Sequence, residues 1–350
     1  MDKKTILVLF GGRSSEHEIS VRSAVSVIDN LDRNRYKVIP SAIDKKGRFL
    51  STRQSIELLP AGMSKDLAKV KNVKISPEPS SVSGVDVVFP VLHGTFGEDG
   101  RLQGLLDLAN VAYVGAGVLG SAAAMDKDVM KRLFRERGLP TVDHIALLRS
   151  SCLERIGDIE SRFVYPVFVK PANLGSSVGI TKASDRDELR QSLALAAEYD
   201  RKIVIEPSIE GRELECGVLG NNNPEVSVPG EIVAGKSFYD YEEKYVDGDS
   251  TILIPAPLSD KETSQVRQLA LEAFKAVEGR GLARVDFFLE ANTGRILLNE
   301  LNSMPGFTSI SMYPKLWMAT GLSYSDLLNR LIDLAIESHQ EDKRTRFSFE

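Results

Sequence analysis

The chain is poor in sulfur and imidazole, with two cysteines, Cys152 and Cys216, and four histidines, His17, His93, His144 and His339, in 350 residues. Two cysteines cannot build a disulfide framework or a thiolate metal site, and their scarcity fits a reducing compartment, so a cytoplasmic location is expected. The histidines lie apart, without metal-ligand spacing, and each reads singly as structural. No apolar run approaches the length of a membrane span. The opening MDKKTILVLFGG reads as a first strand entering a loop rather than a signal peptide, because its short apolar run ends in paired glycines. The net charge of -5 argues against a nucleic-acid or membrane partner, whose phosphates are met by net basic faces. Any phosphate handled here must be met locally.

What is present is the composition of an ordinary globular protein with material for two or three domains. In the first third, the apolar runs TILVLF, YKVIPSAI and VDVVFPVLH alternate with a helical pattern at Val21–Leu31, which predicts a parallel sheet flanked by helices. Two loops lie where such sheets bind ligands, GGRSSEHEIS after the first strand and HGTFGEDG after the third. Ile75–Gly84, rich in Ser and Pro, reads as a surface loop. A second unit runs from about Gly117, with a helix at Lys127–Arg137, a strand at Val164–Ala172, a helix at Arg186–Tyr199 and a strand at Lys202–Ile209. A third runs from Gly211, with strands ELECGVLG and EVSVPGEIV, a helix at Asp260–Gly279, a hairpin and a helix at Tyr324–His339. The expected boundaries are 1–117, 118–210 and 211–350.

The hairpin, LARVDFFLEANTGRILLNELNSMPG, carries the sharpest signal. Strands Leu282–Leu289 and Arg295–Leu301 would flank the three-residue loop Asn292-Thr293-Gly294, with Gly294 left-handed. With Ala291 opposite Arg295, this register sets Asp286 across from Glu300 and Arg284 across from Asn302, all four on one face. A solvated polar face is one reading. Against it, directly opposed carboxylates repel unless a positive charge lies between them. The oxygen donors suit a hard cation that keeps waters and phosphate oxygens, which describes Mg²⁺ on a nucleotide.

Further motifs surround it. KPANLGSSVG ends a strand with Lys170 and enters a loop whose backbone N–H groups and Ser176 and Ser177 hydroxyls could close on phosphate; it is not a GxxxxGK[ST] loop. Lys127 falls in the first turn of a helix, where a cation is unfavourable unless an anion lies there. Taken singly, a solvated lysine is the preferred reading, because exposed lysines are commonplace. IEPSIEGRELE joins two strands and brings Glu206, Glu210 and Glu213 together, in a turn that suits adenine and ribose or is simply a connection. KSFYDYEEKYVDGDS reads as a lid or a charged loop. In NSMPGFTSIS, the Gly306 N–H and the hydroxyls of Thr308, Ser309 and Ser311 lie next to the metal face, where they suit a carboxylate or an oxyanion.

Taken in order, GGRSSEHEIS, LHGTFGEDG, AMDK, KPANLGSSVG, IEPSIEGRELE, FYDYEEKY, RVDFF, NELN and PGFTS resemble the ATP-grasp superfamily, and within it the D-alanine–D-alanine ligases, over essentially the whole chain. The resemblance implies α/β and α+β architecture: an ATP-grasp fold of two subdomains clamping ATP, preceded by an open parallel-sheet domain. It implies that ATP activates one D-alanine as a D-alanyl phosphate, which a second D-alanine attacks. Lys127, Lys170 and Lys244 would contact ATP, Ser176 and Ser177 would cover its phosphates, and Glu206, Ile209 and Glu213 would hold adenine and ribose. Asp286, Glu300 and Asn302 are similar to the ligands of two Mg²⁺ or Mn²⁺ ions, and the family leaves room for a monovalent cation. Arg284 and Gly306 would meet the oxyanion, Glu16 the first substrate's ammonium with His93 nearby, and Ser309, Ser311 and Arg284 the substrates. Tyr245 would bond with Ser176 and Glu16 over the second-substrate site, favouring D-alanine over D-lactate. A homodimer through the N-terminal domain is implied. Ser303, where the family often has Thr, and a longer Ser51–Ser83 segment are small departures. Competing readings are a D-alanine–D-lactate or D-alanine–D-serine ligase, and a nucleotide sensor without catalysis.

Overall fold

The computed structural model describes residues 2–63, 67, 73, 75–233, 251–346 and 348, and the architecture below is that of these residues. The first sheet contains β1 (Lys4–Gly11), β2 (Tyr36–Ile43), β3 (Val87–Pro90) and β4 (Ala112–Tyr113), all parallel, in the order β2-β1-β3-β4. Central β1 is apolar without alternation because both of its faces are covered, and Ile6 to Phe10 are fully buried. The connection from β1 runs to one side and that from β3 to the other, so a crevice opens at their C-terminal ends. The loops 12–16 and 91–98 leave there. Helices α1 (His17–Asn30), α2 (Thr52–Glu57) and α3 (Arg101–Leu108) belong to this part of the chain. The segment expected as a surface loop at Ile75–Gly84 is exposed over 77–80 and 83–84, and is anchored by Ile75 and Val82, which enter the core before and at the end of a short 3₁₀ turn, Pro79–Val82.

Two helices follow, α4 (Val118–Met125) and α5 (Lys127–Glu136), broken at Asp126, whose carboxylate accepts from the N–H groups of Asp128 and Val129 and so starts the second helix. The second sheet, β5 (Ile145–Leu148), β6 (Val167–Pro171), β7 (Thr181–Ala183) and β8 (Lys202–Pro207), is antiparallel in the order β5-β8-β6-β7. Helices α6 (Ile156–Arg162) and α7 (Arg186–Tyr199) share its core. The third sheet holds β9 (Gly211–Gly220), β10 (Glu225–Val226), β11 (Gly230–Val233), β12 (Thr251–Leu253), β13 (Gly281–Glu290) and β14 (Ile296–Asn302). EVSVPGEIV, expected as one strand, is two, because Pro229 has no N–H to give a ladder. Helix α8 (Asp260–Ala276) starts from a Ser259–Glu262 capping box, and α9 (Met312–Ala319) and α10 (Tyr324–Asp342) follow the last strand. Leu327, Leu328, Leu331 and Ile332 of α10 share one core with Ile6, Val8 and Phe89, so the end of the chain closes the first sheet.

The hairpin departs from expectation near its turn and matches it at the polar face. Glu290 pairs with Arg295, the loop is the four residues 291–294, and Gly294 is left-handed at φ 66°. Leu289 is therefore opposite Ile296 and Phe287 opposite Leu298. A bulge then leaves Asn299 as an extra residue, and beyond it Asp286 is opposite Glu300 and Arg284 opposite Asn302. Without the bulge, the shorter register would turn Glu300 and Asn302 to the other face. The outer edge of β14 is covered by residues 140–142, with Leu298 N–H donating to the Pro140 carbonyl at 2.8 Å and Val142 N–H to the Leu298 carbonyl at 3.1 Å.

Candidate active site

A cavity of about 290 Å³ opens where the three sheets meet, and Glu16, His93, Ser176, Arg284, Glu300 and Gly306 are among its lining residues. Asn302 and Ser311 line it too. Its floor is the polar face of the hairpin. Arg284 grips Asp286 with two bonds, Nε to Oδ1 at 2.7 Å and Nη2 to Oδ2 at 2.6 Å, and its Nε lies 3.0 Å from Glu215 on the neighbouring strand β9. Asn302, which lines the cavity, donates from Nδ2 to Asp286 Oδ2 at 3.0 Å. Glu300 is 3.7 Å from the Lys127 ammonium. The opposed carboxylates expected from the register are thus present, each with a cation beside it. No cluster of three His, Cys, Asp or Glu fit to hold a metal occurs among the described residues. Two carboxylates and an amide oxygen make no all-protein cage, but they suit Mg²⁺ or Mn²⁺ completed by water and phosphate oxygens. Residues Lys244 and Tyr245, and the lid expected over Lys236–Ser250, lie outside the described residues.

One wall is cationic. Lys127, whose motif read singly as a solvated lysine, is instead buried in the first turn of α5 and donates to the Leu174 carbonyl at 2.6 Å, inside the loop after β6. Lys170, at the end of β6, is bound to Glu206 of β8 at 2.6 Å. Glu206 also meets Lys131 at 3.0 Å. Burial opposes the charge on Glu206, yet Lys131 and Lys170 together hold its carboxyl down to about 2. Burial likewise opposes the Lys170 ammonium, and Glu206 outweighs it and raises Lys170 above its ordinary value. The Glu206 carboxylate therefore faces lysines, so any adenine contact from this residue must come from its main chain. Glu213 shares a β9 face with Glu215, two residues on, and sits opposite Phe288. Ile209 lies in the turn between β8 and β9, half-buried.

The other wall joins loops from all three sheets. Ser176 donates to Glu16 Oε1, and both Ser176 (φ 50°) and Ser177 (φ 58°) are left-handed, a conformation that side chains enter at a cost. Glu16 is nearly buried, and a Cβ on Gly94 would come within 2.4 Å of its Oε2, or on Gly175 within 2.9 Å, so two glycines make room for this carboxylate. His93, expected near the first substrate, has both ring nitrogens engaged: Nδ1 at 3.0 Å from the Met304 carbonyl and Nε2 at 3.0 Å from Ser23 Oγ. A carbonyl only accepts, so Nδ1 carries the proton and Nε2 accepts from Ser23; burial, which lowers the His93 pKa, keeps the ring neutral. Met304 N–H donates to Glu98 at 3.0 Å, and Phe307 N–H to Ser23 Oγ at 3.3 Å. The first sheet thus fastens the strap that presents Gly306. Burial, with Glu16 adding to it, pushes the Glu98 carboxyl up to about 8. Ser311 Oγ bonds to the N–H and hydroxyl of Thr308, whereas Ser309 is exposed and outside the cavity lining. A larger hollow of about 770 Å³ beside α3, β4 and α10 lies away from these groups, and its Arg280 and Tyr113 are already bonded to Asp342 and Asp107.

A family model described as D-ala D-ala ligase N-terminus matches residues 5–116, and one described as D-ala D-ala ligase C-terminus matches residues 133–333. The chain belongs to the D-alanine–D-alanine ligase family. It is 51% identical to a D-alanine–D-alanine ligase of Thermoanaerobacter sp. (strain X514), over 98% of this chain and 99% of that protein. With that of Solibacter usitatus it shares 49% identity over 99% of each. Among solved structures, the D-alanine–D-alanine ligase from Coxiella burnetii superposes with a TM-score of 0.86 at 39% identity, covering 98% of this chain and 97% of the other. A D-Ala:D-Ser ligase from Enterococcus faecalis gives 0.84 at 36%, covering 95% and 100%. The mixed helix and sheet architecture is that of the ATP-grasp fold.

Sequence reasoning missed Lys131, Glu98 and Ser23, which bond to groups of the candidate site. The signal for Lys131 was its place four residues after Lys127, on the same helix face. Glu98 stood inside HGTFGEDG, a loop marked as a ligand position, without being singled out within it, and Ser23 in an ordinary helix with nothing local to mark it. Two outcomes follow from the geometry. Glu300→Gln should cut phosphate release from ATP by about a hundredfold or more while the melting temperature stays close to wild type, since this side chain is half-exposed. Asp286→Asn should lose as much activity and also melt lower, because it weakens the grip on Arg284. For Glu206, the unfolded chain takes up a proton near the ordinary value of 4.5, whereas the folded chain does so only near 2. Its stabilisation is complete above 4.5 and is lost as pH falls through that window. The melting-temperature gap between wild type and Glu206→Gln should therefore narrow as pH drops from about 6 to about 3.

Proposed function

We propose that the chain joins two D-alanine molecules into D-alanyl-D-alanine at the expense of ATP, supplying a precursor of peptidoglycan. The observation that carries this reading is the meeting of Glu16, Ser176, Arg284, Glu300 and Gly306, from three sheets, on one small cavity in a chain of this family. Its volume, about 290 Å³, is at the low end for a ligand site and suits two small amino acids rather than a nucleotide. Lys127 and Lys170 would meet the triphosphate, with the Ser176–Ser177 loop covering it, and Ile209, Glu213 and the main chain at Glu206, together with Lys244, would complete the nucleotide site. Asp286, Glu300 and Asn302 would hold two Mg²⁺ or Mn²⁺ ions, which when bound neutralise the developing charge on the phosphates.

The chemistry follows from this placement. Glu16 takes the ammonium of the first D-alanine, leaving its carboxylate toward the phosphate side. A carboxylate oxygen attacks the γ-phosphorus, the bond to the β-phosphate bridging oxygen breaks, and ADP leaves. The second D-alanine, having lost a proton from its ammonium, attacks the carbonyl carbon. The tetrahedral oxyanion meets Arg284 and the Gly306 N–H, both held before reaction by Asp286, Glu215 and the Met304 bonds. The C–O bond to phosphate then breaks. Ser311 and Arg284 engage the substrate carboxylates, and Ser309, being exposed, would do so only after movement of its loop. Tyr245 would close over the second amino acid with Ser176 and Glu16. We further propose the division 1–117, 118–210 and 211–350, a homodimer through the N-terminal domain, and a cytoplasmic location.

The likeness to the Enterococcus faecalis D-Ala:D-Ser ligase favours a second reading in which the acceptor is D-serine. Phosphate release from ATP and Mg²⁺ should require D-alanine, and mass analysis should find D-alanyl-D-alanine. A D-alanyl-D-serine product, or a depsipeptide formed with D-lactate in preference, would move the chain to the other ligases. No release with any of these substrates would reject the ligase reading in favour of a nucleotide sensor.

A further inference from the structure

Lys131 is among the largest fully buried side chains of the described residues, at 1% exposure, and has no substrate role of its own; the nucleotide-site residue it meets directly is Glu206, at the carboxylate. An ammonium in such a place costs several kcal/mol unless its donors are matched. Two partners match it. Its Nζ lies 3.0 Å from Glu206 Oε1, and it donates to the Asn299 carbonyl at 2.9 Å. Neither partner is incidental. The other oxygen of Glu206 holds Lys170, and Asn299 is the extra residue of the bulge, whose backbone groups the strand ladder leaves over. Immediately after Asn299 comes Glu300, which Lys127, one turn before Lys131 on α5, approaches with its own ammonium.

We propose that Lys131 is a positioning residue that sets the distance between the phosphate-side lysine, Lys170, and the metal face carried by β14. It acts on Lys170 through Glu206, fixing which way that carboxylate points, and on Glu300 through the carbonyl of the bulge. One ammonium thereby ties the second sheet to the third at the place where a triphosphate would have to bridge them. A lysine rather than an apolar side chain is required because both partners are acceptors and one is anionic. Burial draws the Lys131 ammonium below its ordinary value in spite of Glu206, which agrees with its being enclosed by protein.

This inference rests on the ligase reading above, and its test separates the two. ATP, Mg²⁺ and D-alanine are each varied in phosphate-release assays of the wild type, Lys131→Met and Lys131→Arg, with melting temperatures measured alongside. Lys131→Met should raise the KM for ATP and the half-saturating Mg²⁺ by about tenfold or more, as loss of an outer partner of a metal site does, while the KM for D-alanine stays within about twofold. Lys131→Arg, which keeps the charge, should recover part of the loss. A folded Lys131→Met with wild-type dependence on ATP and Mg²⁺ would overturn the proposal, as would an equal rise in all three constants, the mark of general loosening. If Lys131→Met does not fold, Lys131→Arg decides: a raised KM for ATP with unchanged KM for D-alanine upholds the proposal, and no change in either overturns it. Absence of release by the wild type would instead reject the ligase reading.

Discussion

The site depends on which face of β14 carries Glu300 and Asn302. Side chains in a strand alternate, so a shift of one residue would send both to the opposite side and leave Asp286 facing Asn299. The turn-proximal register, with Leu289 opposite Ile296, would do that if it ran on unbroken. The bulge at Asn299 absorbs the difference. It brings two carboxylates opposite each other in a half-buried place, a destabilising arrangement in isolation, and the surrounding cations, Arg284 and Lys127, make it tolerable. Two bonds from Arg284 and one from Asn302 fix where the Asp286 carboxylate points.

The same logic of local compensation explains how a chain of net charge -5 can accommodate a triphosphate. The cations are inside. Lys127, Lys131 and Lys170 are all buried, converging from α5 and β6, and their charge is carried by Glu206, Glu300 and main-chain carbonyls rather than by water. On the opposite wall of the cavity the arrangement is built from glycine and main chain. Gly94 and Gly175 leave room for Glu16, while His93, Glu98 and Ser23 hold the backbone of the Met304–Phe307 strap. Phe307 then packs edge-on against Phe89 of β3, with ring centres 5.7 Å apart, and against Tyr313 at 5.8 Å. Such pairs add about 0.5–1.5 kcal/mol each beyond burial, and here they seat the strap on the first sheet.

Much of this was legible in the sequence, for identifiable reasons. Alternating apolar runs and long periodic helices marked the parallel sheet and the helix at Arg186–Tyr199 because those patterns depend on local geometry. The polar face of the hairpin could be read because Asp286, Glu300, Arg284 and Asn302 interrupt otherwise apolar strands. The route to that register could not: a three-residue loop and a four-residue loop with a bulge give the same pairing at Asp286, and only tertiary contacts such as that of the Asn299 carbonyl with Lys131 distinguish them. His93 was identified as a site residue, but its part in fastening the strap depends on Met304, 211 residues away. The bonds of Lys131 to the Asn299 carbonyl, of Glu98 to Met304 and of Ser23 to Phe307 likewise join residues far apart in the sequence. The packing of α10 on the first sheet is likewise non-local, and a linear division of the chain does not contain it.

The central chemical claim is that the cavity places an amino-acid carboxylate to attack the γ-phosphorus of ATP. It is tested most directly by following oxygen from D-alanine labelled with ¹⁸O in its carboxylate, with the released phosphate analysed by mass. Transfer of one labelled oxygen into each phosphate formed is the predicted result, because the bond made to phosphorus in the first step keeps that oxygen when the carbon–oxygen bond breaks in the second. Unlabelled phosphate released together with the dipeptide would contradict the account, since the carboxylate would then never have been joined to phosphorus.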